Sequence, residues 1–175
     1  MGLFTPDKYV TDVSAIDLDE LWNKGKRALF LDRDNTVVPR DTKVVPPSAV
    51  AWLDHAHELG YRVCFVSNNW AKNVRPDAQR FGAQMVTRAA KPLPFGLWHA
   101  LHKVGVGRRQ AVLVGDQVFT DVLGGKLSGI YTVLVQPQTE VDLAHTLLLR
   151  RLEERVLDGL TPEGASRRCS GSGKG

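Results

Sequence analysis

The stretch Leu29-Phe-Leu-Asp-Arg-Asp-Asn-Thr36 constrains this chain more than any other, because an apolar run stops abruptly at two aspartates separated by one residue. Ala28 to Leu31 are apolar at consecutive positions, as in a strand covered on both faces of a parallel sheet. Open sheets of that kind bind ligands where their strands end, so Asp32 and Asp34 are expected at a functional edge. Residues two apart project to the same side, which lets both carboxylates serve one phosphate and one cation. A turn closed by Asp and Asn bonding their own backbone gives the same letters, so the motif alone does not decide between chemistry and structure.

The rest of the chain supplies the missing weight. Tyr61 to Val66 reads as a second buried strand ending at Ser67-Asn68-Asn69, and Gln84 to Thr87 as a third that gives way to Lys91-Pro92. Ala111 to Val114 is a fourth, broken by Gly115-Asp116 with Asp121 close behind, and Tyr131 to Val135 is a fifth. Helices are expected between them. One is short and opens at Asp17 with Glu20 completing a capping box; the next runs from Pro47 to Leu59 with Gly60 as its stop. Others carry Arg75-Pro76 in a first turn, cover Phe95 to Lys103, follow Asp121 briefly, and run from about Val141 to Leu157. Residues 1–13 show no period and read as a loop. The expected fold is therefore α/β: a three-layer, Rossmann-like arrangement with a central, mostly parallel sheet of about five strands and helices on both faces. Each polar cluster falls just past a strand, and satisfied turn residues have no reason to collect at one edge.

A single domain over residues 1–160 and a flexible Gly/Ser-rich tail over 161–175 are expected. Only 34 residues separate Asp32 from Ser67, 23 separate Ser67 from Lys91, and 24 separate Lys91 from Asp116. Helices and strands consume these spacings, so no cap domain fits. With 43% apolar and 24% charged residues the chain is not a disordered one, and Cys64 and Cys169 offer neither a disulfide framework nor a zinc cluster. No secretory signal or membrane-length apolar run is present, which gives a cytoplasmic expectation. Residues 1–60 hold 7 basic and 10 acidic side chains and residues 61–175 hold 16 and 9, so a positive field on the later part can draw an anionic substrate, a membrane surface or nucleic acid. No stretch interleaves aromatic and basic residues, which leaves nucleic acid the least supported partner.

Phosphate-ester cleavage needs an in-line nucleophile, neutralisation of phosphoryl oxygens and a proton for the leaving alkoxide. Asp32 can attack without prior deprotonation, and Asp34 can protonate the leaving group and then activate water. Lys91, Ser67 and Asn68, with nearby backbone N–H groups, can cradle the phosphate. Asp32, a backbone carbonyl near Asp34, and Asp116 can hold Mg2+ together with substrate oxygen and water. Asp121 is placed to orient Lys91 or a metal-bound water, while Asn35 and Thr36 either shape the turn or, in the case of Thr36, touch substrate.

In their order and spacing LDRDNT, VSNN, KP and GDQVFTD resemble the haloacid dehalogenase superfamily of phosphatases, over roughly residues 28–136. The resemblance implies Asp32 as nucleophile, Asp34 as acid-base, Ser67 and Lys91 as phosphate binders and Asp116 as metal ligand. Phe4-Thr-Pro-Asp-Lys-Tyr-Val10, Arg88-Ala-Ala-Lys-Pro92, the Gly124-Gly125 pair and Arg150-Arg151-Leu152-Glu153 are similar to the subclass IIIA, YqeG-type group, itself similar to the mitochondrial phosphatidylglycerophosphate phosphatase. Arg33 and Lys126 depart from that group, which usually carries an apolar residue and an asparagine there. Together with a site left open by the lack of a cap, the resemblance makes phosphatidylglycerophosphate the leading substrate, and Arg150, Arg151 and Arg155 on the expected C-terminal helix can supply cations to anionic headgroups in a peripheral contact with the inner face of the membrane. A phosphatase of a small soluble metabolite or nucleotide, and a phosphate-binding scaffold without turnover, remain alternatives. The five histidines are given no role, Cys64 is read as core, and Trp52, Trp70 and Trp98 as core or subunit contacts, with Trp70 also placed to line the substrate entrance.

Overall fold

Among the described residues six short strands, all parallel, form one sheet with the spatial order β1-β6-β5-β2-β3-β4. They are β1 (Lys8–Val10), β2 (Ala28–Leu31), β3 (Arg62–Val66), β4 (Gln84–Val86), β5 (Ala111–Gly115) and β6 (Tyr131–Val135). The computed structural model describes residues 2–139, 157 and 159–163. The expected C-terminal helix with Arg150, Arg151 and Arg155, apart from its last residue Leu157, and all but the first three residues of the expected tail lie outside the described residues.

Strand β2 is central, with Leu31 paired to Phe65 of β3 and to Val114 of β5. All four of its side chains are fully buried, as its unbroken apolar run requires, because helices cover both faces. Leu29 and Leu31 face a core that includes Trp52, Leu53 and Ala56 of helix α2 (Pro47–Leu59) and Val74 and Ala78 of α3 (Ala71–Arg80). On the other face Ala28 and Phe30 meet Leu97, Ala100 and Val104 of α4 (Phe95–Val104). Each buried Leu or Phe contributes on the order of 1.5–3 kcal/mol, so the layers hold the sheet from both sides.

Local chemistry sets the helix ends. The carboxylate of Asp17 accepts from the N–H of Glu20 at 2.8 Å to start α1 (Leu18–Asn23), and Pro47 opens α2. Gly60 at φ 91° and Gly105 at φ 68° end α2 and α4 in the left-handed conformation that a glycine adopts without strain. A single π turn, Val118–Val122, runs into α5 (Leu123–Ser128).

Two elements differ from expectation. Residues 8–10 are a strand rather than loop: β6 would otherwise expose its backbone, and Lys8-Tyr9-Val10 covers it with Lys8 opposite Val133. The helix holding Pro76 begins at Ala71, before the first turn that Arg75-Pro76 suggests, so the proline sits inside α3. Its missing N–H leaves the Lys72 carbonyl without a helical donor, and that flank is exposed to water.

No cap domain is present among the described residues. The segments from Asp32 to Ser67, Ser67 to Lys91 and Lys91 to Asp116 are taken up by α2 and β3, α3 and β4, and α4 and β5.

Candidate active site

Because every strand is parallel, all six end at one edge, and the polar clusters meet there. The N–H of Asp32 donates to the carbonyl of Val114 at 2.9 Å, which carries the β2–β5 pairing one residue past the strand and puts Asp32 beside the exit of β5. Asp116, the next residue after β5, is buried. Ser67 follows β3 directly, its N–H held by Val86 O at 3.0 Å and its Oγ accepting from the N–H of Asn69 at 3.1 Å.

Lys91 is delivered differently, from the loop after β4. Arg88 and Ala90 take φ values of 52° and 55°, and this costly left-handed backbone turns the chain sharply into the site. Asn68 clamps the result. Its Oδ1 accepts from the N–H of Lys91 at 2.8 Å and its Nδ2 donates to the Lys91 carbonyl at 3.0 Å. The amide expected to touch phosphate is thus engaged in fixing the lysine backbone.

The Lys91 ammonium lies between two carboxylates, donating to Asp32 Oδ1 at 2.7 Å and to Asp121 Oδ1 at 2.6 Å. Burial opposes its charge, but Asp121 and Asp32 outweigh that and hold its pKa above the usual lysine value. Burial lifts the Asp32 carboxyl to about 6, opposed by Lys91 and reinforced by Asp121. Even so, 16% of the Asp32 side chain reaches solvent, so the group faces the opening while its partner lysine is sealed behind it. Asp121 is steered by the π turn and by the N–H of Gln117, which donates to its Oδ2 at 3.2 Å. Gly115 makes room for it: a Cβ there would lie 2.2 Å from Asp121 Cγ.

Asp34 sits two residues past Asp32 and half open. Its Oδ1 accepts from Arg33 at 2.6 Å, and Asn69 Nδ2 donates to its Oδ2. Arg33 is itself fixed by Asp77 of α3 at 2.6 Å. Thr36 has no exposed surface; it is buried under the turn that begins at Asn35, whose φ is 60°. Cys64 is buried, and burial pushes its thiol up to about 12, the property of a core residue rather than a nucleophile. Trp52 is buried with its Nε1 donating to Ile16 O at 3.0 Å, whereas Trp70 and Trp98 are exposed.

Sequence reasoning missed Arg33 and Asn69 as partners of Asp34. Asn69 carried a signal, since it belongs to the same post-strand triplet as Ser67. The reach of Arg33 to Asp77 joins positions 44 apart and has none.

The edge therefore assembles four carboxylates, one buried ammonium and a serine hydroxyl around an opening. The chain matches the haloacid dehalogenase-like hydrolase family over residues 9–129. It is 31% identical over 161 residues to the probable phosphatase YqeG of Bacillus subtilis (strain 168), covering 92% of this chain and 94% of that one. It is 25% identical to the chloroplastic/mitochondrial phosphatidylglycerophosphate phosphatase 1 of Arabidopsis thaliana over 87% of this chain, and spans about half, 47%, of that protein. In fold it is similar to the 3-deoxy-D-manno-octulosonate 8-phosphate phosphatase of Moraxella catarrhalis, solved with magnesium and phosphate ions, with TM-score 0.50, 12% identity and coverage of 81% of this chain and 92% of that chain. With an edge so built and a family match across most of its length, this chain belongs to the haloacid dehalogenase-like hydrolases.

Proposed function

We propose that the chain is a Mg2+-dependent phosphomonoester hydrolase working through an aspartyl-phosphate on Asp32. The observation that carries this reading is the Asp32–Lys91–Asp121 row at 2.7 and 2.6 Å, with the carboxylate outward and the ammonium sealed behind. An Asp32 oxygen attacks phosphorus in line, the bond from phosphorus to the alcohol oxygen breaks, and Asp34 gives its proton to the departing alkoxide. Asp34, now ionised, takes a proton from water as that water attacks phosphorus, the bond from phosphorus to the Asp32 oxygen breaks, orthophosphate leaves and both aspartates are restored. Lys91 and the Ser67 hydroxyl donate to phosphoryl oxygens, and Asp121 keeps the ammonium aligned.

Asp32 and Asp116, from neighbouring strand ends, and the carbonyl of residue 34 form a set of hard oxygen donors suited to Mg2+. No three His, Cys, Asp or Glu side chains group into a metal cage among the described residues. Two carboxylates suffice for Mg2+, which keeps several waters and takes a substrate oxygen. The bound cation would supply positive charge against the phosphoryl oxygens.

The substrate we favour is a lipid phosphate of the phosphatidylglycerophosphate kind. The Arabidopsis relative is named for that lipid. A second support is the rim of the edge. Trp70, directly after Ser67-Asn68-Asn69, is 62% exposed under the guanidinium of Arg88, and Leu93, Phe95 and Trp98 are exposed around the loop that delivers Lys91. Aromatic and cationic side chains together suit the headgroup layer of an anionic bilayer. No helix among the described residues is long and apolar enough to cross a membrane.

Phosphate release from micellar lipid monoester, glycerol phosphate and a nucleotide, measured with the parent chain and Asp32→Asn, tests both levels. Mg2+-dependent release, stopped by chelator and lowered at least about a thousandfold in Asp32→Asn, is expected, with the lipid preferred. Full activity in the variant or in excess chelator would overturn the mechanism. Efficient cleavage of soluble esters alone would overturn only the lipid.

A further inference from the structure

Arg33 stands between the two aspartates of the first motif, where successive residues project to opposite sides, yet its guanidinium comes back to one of them. Nη1 donates to Asp34 Oδ1 and Nε to Asp77 Oδ2, both at 2.6 Å. Arg33, Asp34 and Asp77 each expose only 16% of the side chain, so these are covered, charge-assisted bonds and not the solvated pairs of an open surface. The main chain beneath them is equally fixed. The Arg33 carbonyl accepts from the N–H groups of Val37 and Val38 at 3.1 and 2.9 Å, and the N–H of Asn35 donates to Val38 O at 2.8 Å. With the backbone closed on both sides of Asp34, the freedom left to that residue is rotation of its carboxyl.

Both groups that stop this rotation are mounted on one segment. Asn69, whose Nδ2 donates to Asp34 Oδ2, precedes Trp70 at the N-terminus of α3, and Asp77 lies in the second turn of the same helix. Asn69 holds one oxygen directly, and Asp77 holds the other through Arg33. The planar guanidinium suits the second task, since two of its nitrogens reach two carboxylates at once, where a lysine offers a single point charge. With Nε and Nη1 committed in this way, Arg33 is a brace between α3 and the turn. Such a brace bears on catalysis, because an acid rotated away from the departing oxygen slows the reaction even where binding is intact.

We propose that Arg33, braced by Asp77, is a positioning residue that fixes the orientation of the Asp34 carboxyl for proton transfer to the leaving alcohol. The inference rests on Asp34 being the acid that protonates the departing alkoxide. Asp77, on a covering helix, thereby acts on turnover through Arg33. The need for the brace scales with the leaving group: an alkyl alkoxide departs slowly unless it is protonated, whereas 4-nitrophenolate departs without a proton.

Steady-state cleavage of glycerol 3-phosphate and 4-nitrophenyl phosphate by the full-length chain at saturating Mg2+ tests this. The quantity compared is kcat/KM, which covers the steps up to departure of the alcohol; the attack of water on the aspartyl-phosphate is common to both esters. In Asp77→Ala and in Arg33→Gln, kcat/KM should fall at least about tenfold for glycerol 3-phosphate and less than about threefold for the aryl ester. The double variant should lose little more than Arg33→Gln alone, since the two residues act as one unit. A smaller folded fraction lowers both esters alike and leaves the ratio between them untouched, so instability of a variant does not imitate the effect. Equal losses for the two esters in either single variant, or additive losses in the double variant, overturn the proposal. Asp34→Asn measured in parallel separates the two levels. If it shows no discrimination between the esters, Asp34 is not the acid and the brace falls with it; if it discriminates while the Arg33 and Asp77 variants do not, the acid stands and only the brace fails.

Discussion

Gly115 shows how narrowly the catalytic row is fitted. A methyl group at this position would meet Asp121 Cγ at 2.2 Å and Oδ2 at 2.3 Å, and Asp121 has sheet and π turn behind it. Gly115→Ala is therefore expected to push Asp121 off Lys91. Overpacking should lower stability by about 1–3 kcal/mol, and loss of the orienting carboxylate should cut kcat by about 10–100-fold. Thermal unfolding and phosphate release measured on the same variant check both; an unaltered enzyme would show that Asp121 is not held from this side. At this scale the sequence was most legible where chemistry is scarce: a carboxylate pair after an apolar run, or a lysine after a strand, has few other uses. It was least legible for amides. Asn68 clamps the backbone of Lys91, a use that depends on the turn around Arg88 and Ala90 and that the expectation of a phosphate contact did not contain.

Among the elements, β1 depends most on a single side chain. The Asp7 carboxylate accepts from Lys126 Nζ at 2.6 Å and from the N–H and hydroxyl of Thr132 at 2.7 and 2.9 Å, fastening a three-residue strand to β6. Burial works to raise its pKa, but Lys126 and Thr132 outweigh that and hold it below the usual carboxylate value. A carboxyl depressed on folding stabilises fully above its unfolded value of about 3.9, and that stability drains as pH falls through the lower folded value. Asp7→Asn should therefore cost about 1–3 kcal/mol at pH 7 and flatten the fall of the urea midpoint below about pH 4. A variant with the parent's acid profile would place the anchor elsewhere. This strand was hidden because three residues carry no period, and its cause is the open edge of β6, which local sequence does not reveal. The same holds for α3: Pro76 reads as a start signal, and only the exposure of the Lys72 flank makes it tolerable inside the helix. The buried strands β2, β3 and β5, covered on both faces, were legible as soon as their apolar runs were read.

For the molecule as a whole, parallel pairing throughout gives the sheet a direction. Every strand leaves its C-terminal end at the edge that carries both Asp32 and the rim of Trp70, Phe95 and Trp98. That no cap domain interrupts the described residues between Asp32 and Asp116 was legible from spacing, since 34, 23 and 24 residues leave room for one helix and one strand each. The location of the aromatic rim was not, because a tryptophan's exposure depends on neighbours brought in by the fold. If that rim meets a bilayer, the protein cannot lie flat on it: β2 must point along the membrane normal, with the other strands fanned around it by the sheet's twist of about 20–25° per neighbour. Polarised infrared spectra of the protein on oriented anionic bilayers should then show amide I dichroism of upright strands. A Trp70→Ala, Phe95→Ala double variant should lose both retention and dichroism. Strands lying in the plane would mean that the molecule lands on a different face, and that a lipid phosphate would have to leave its leaflet to reach Asp32.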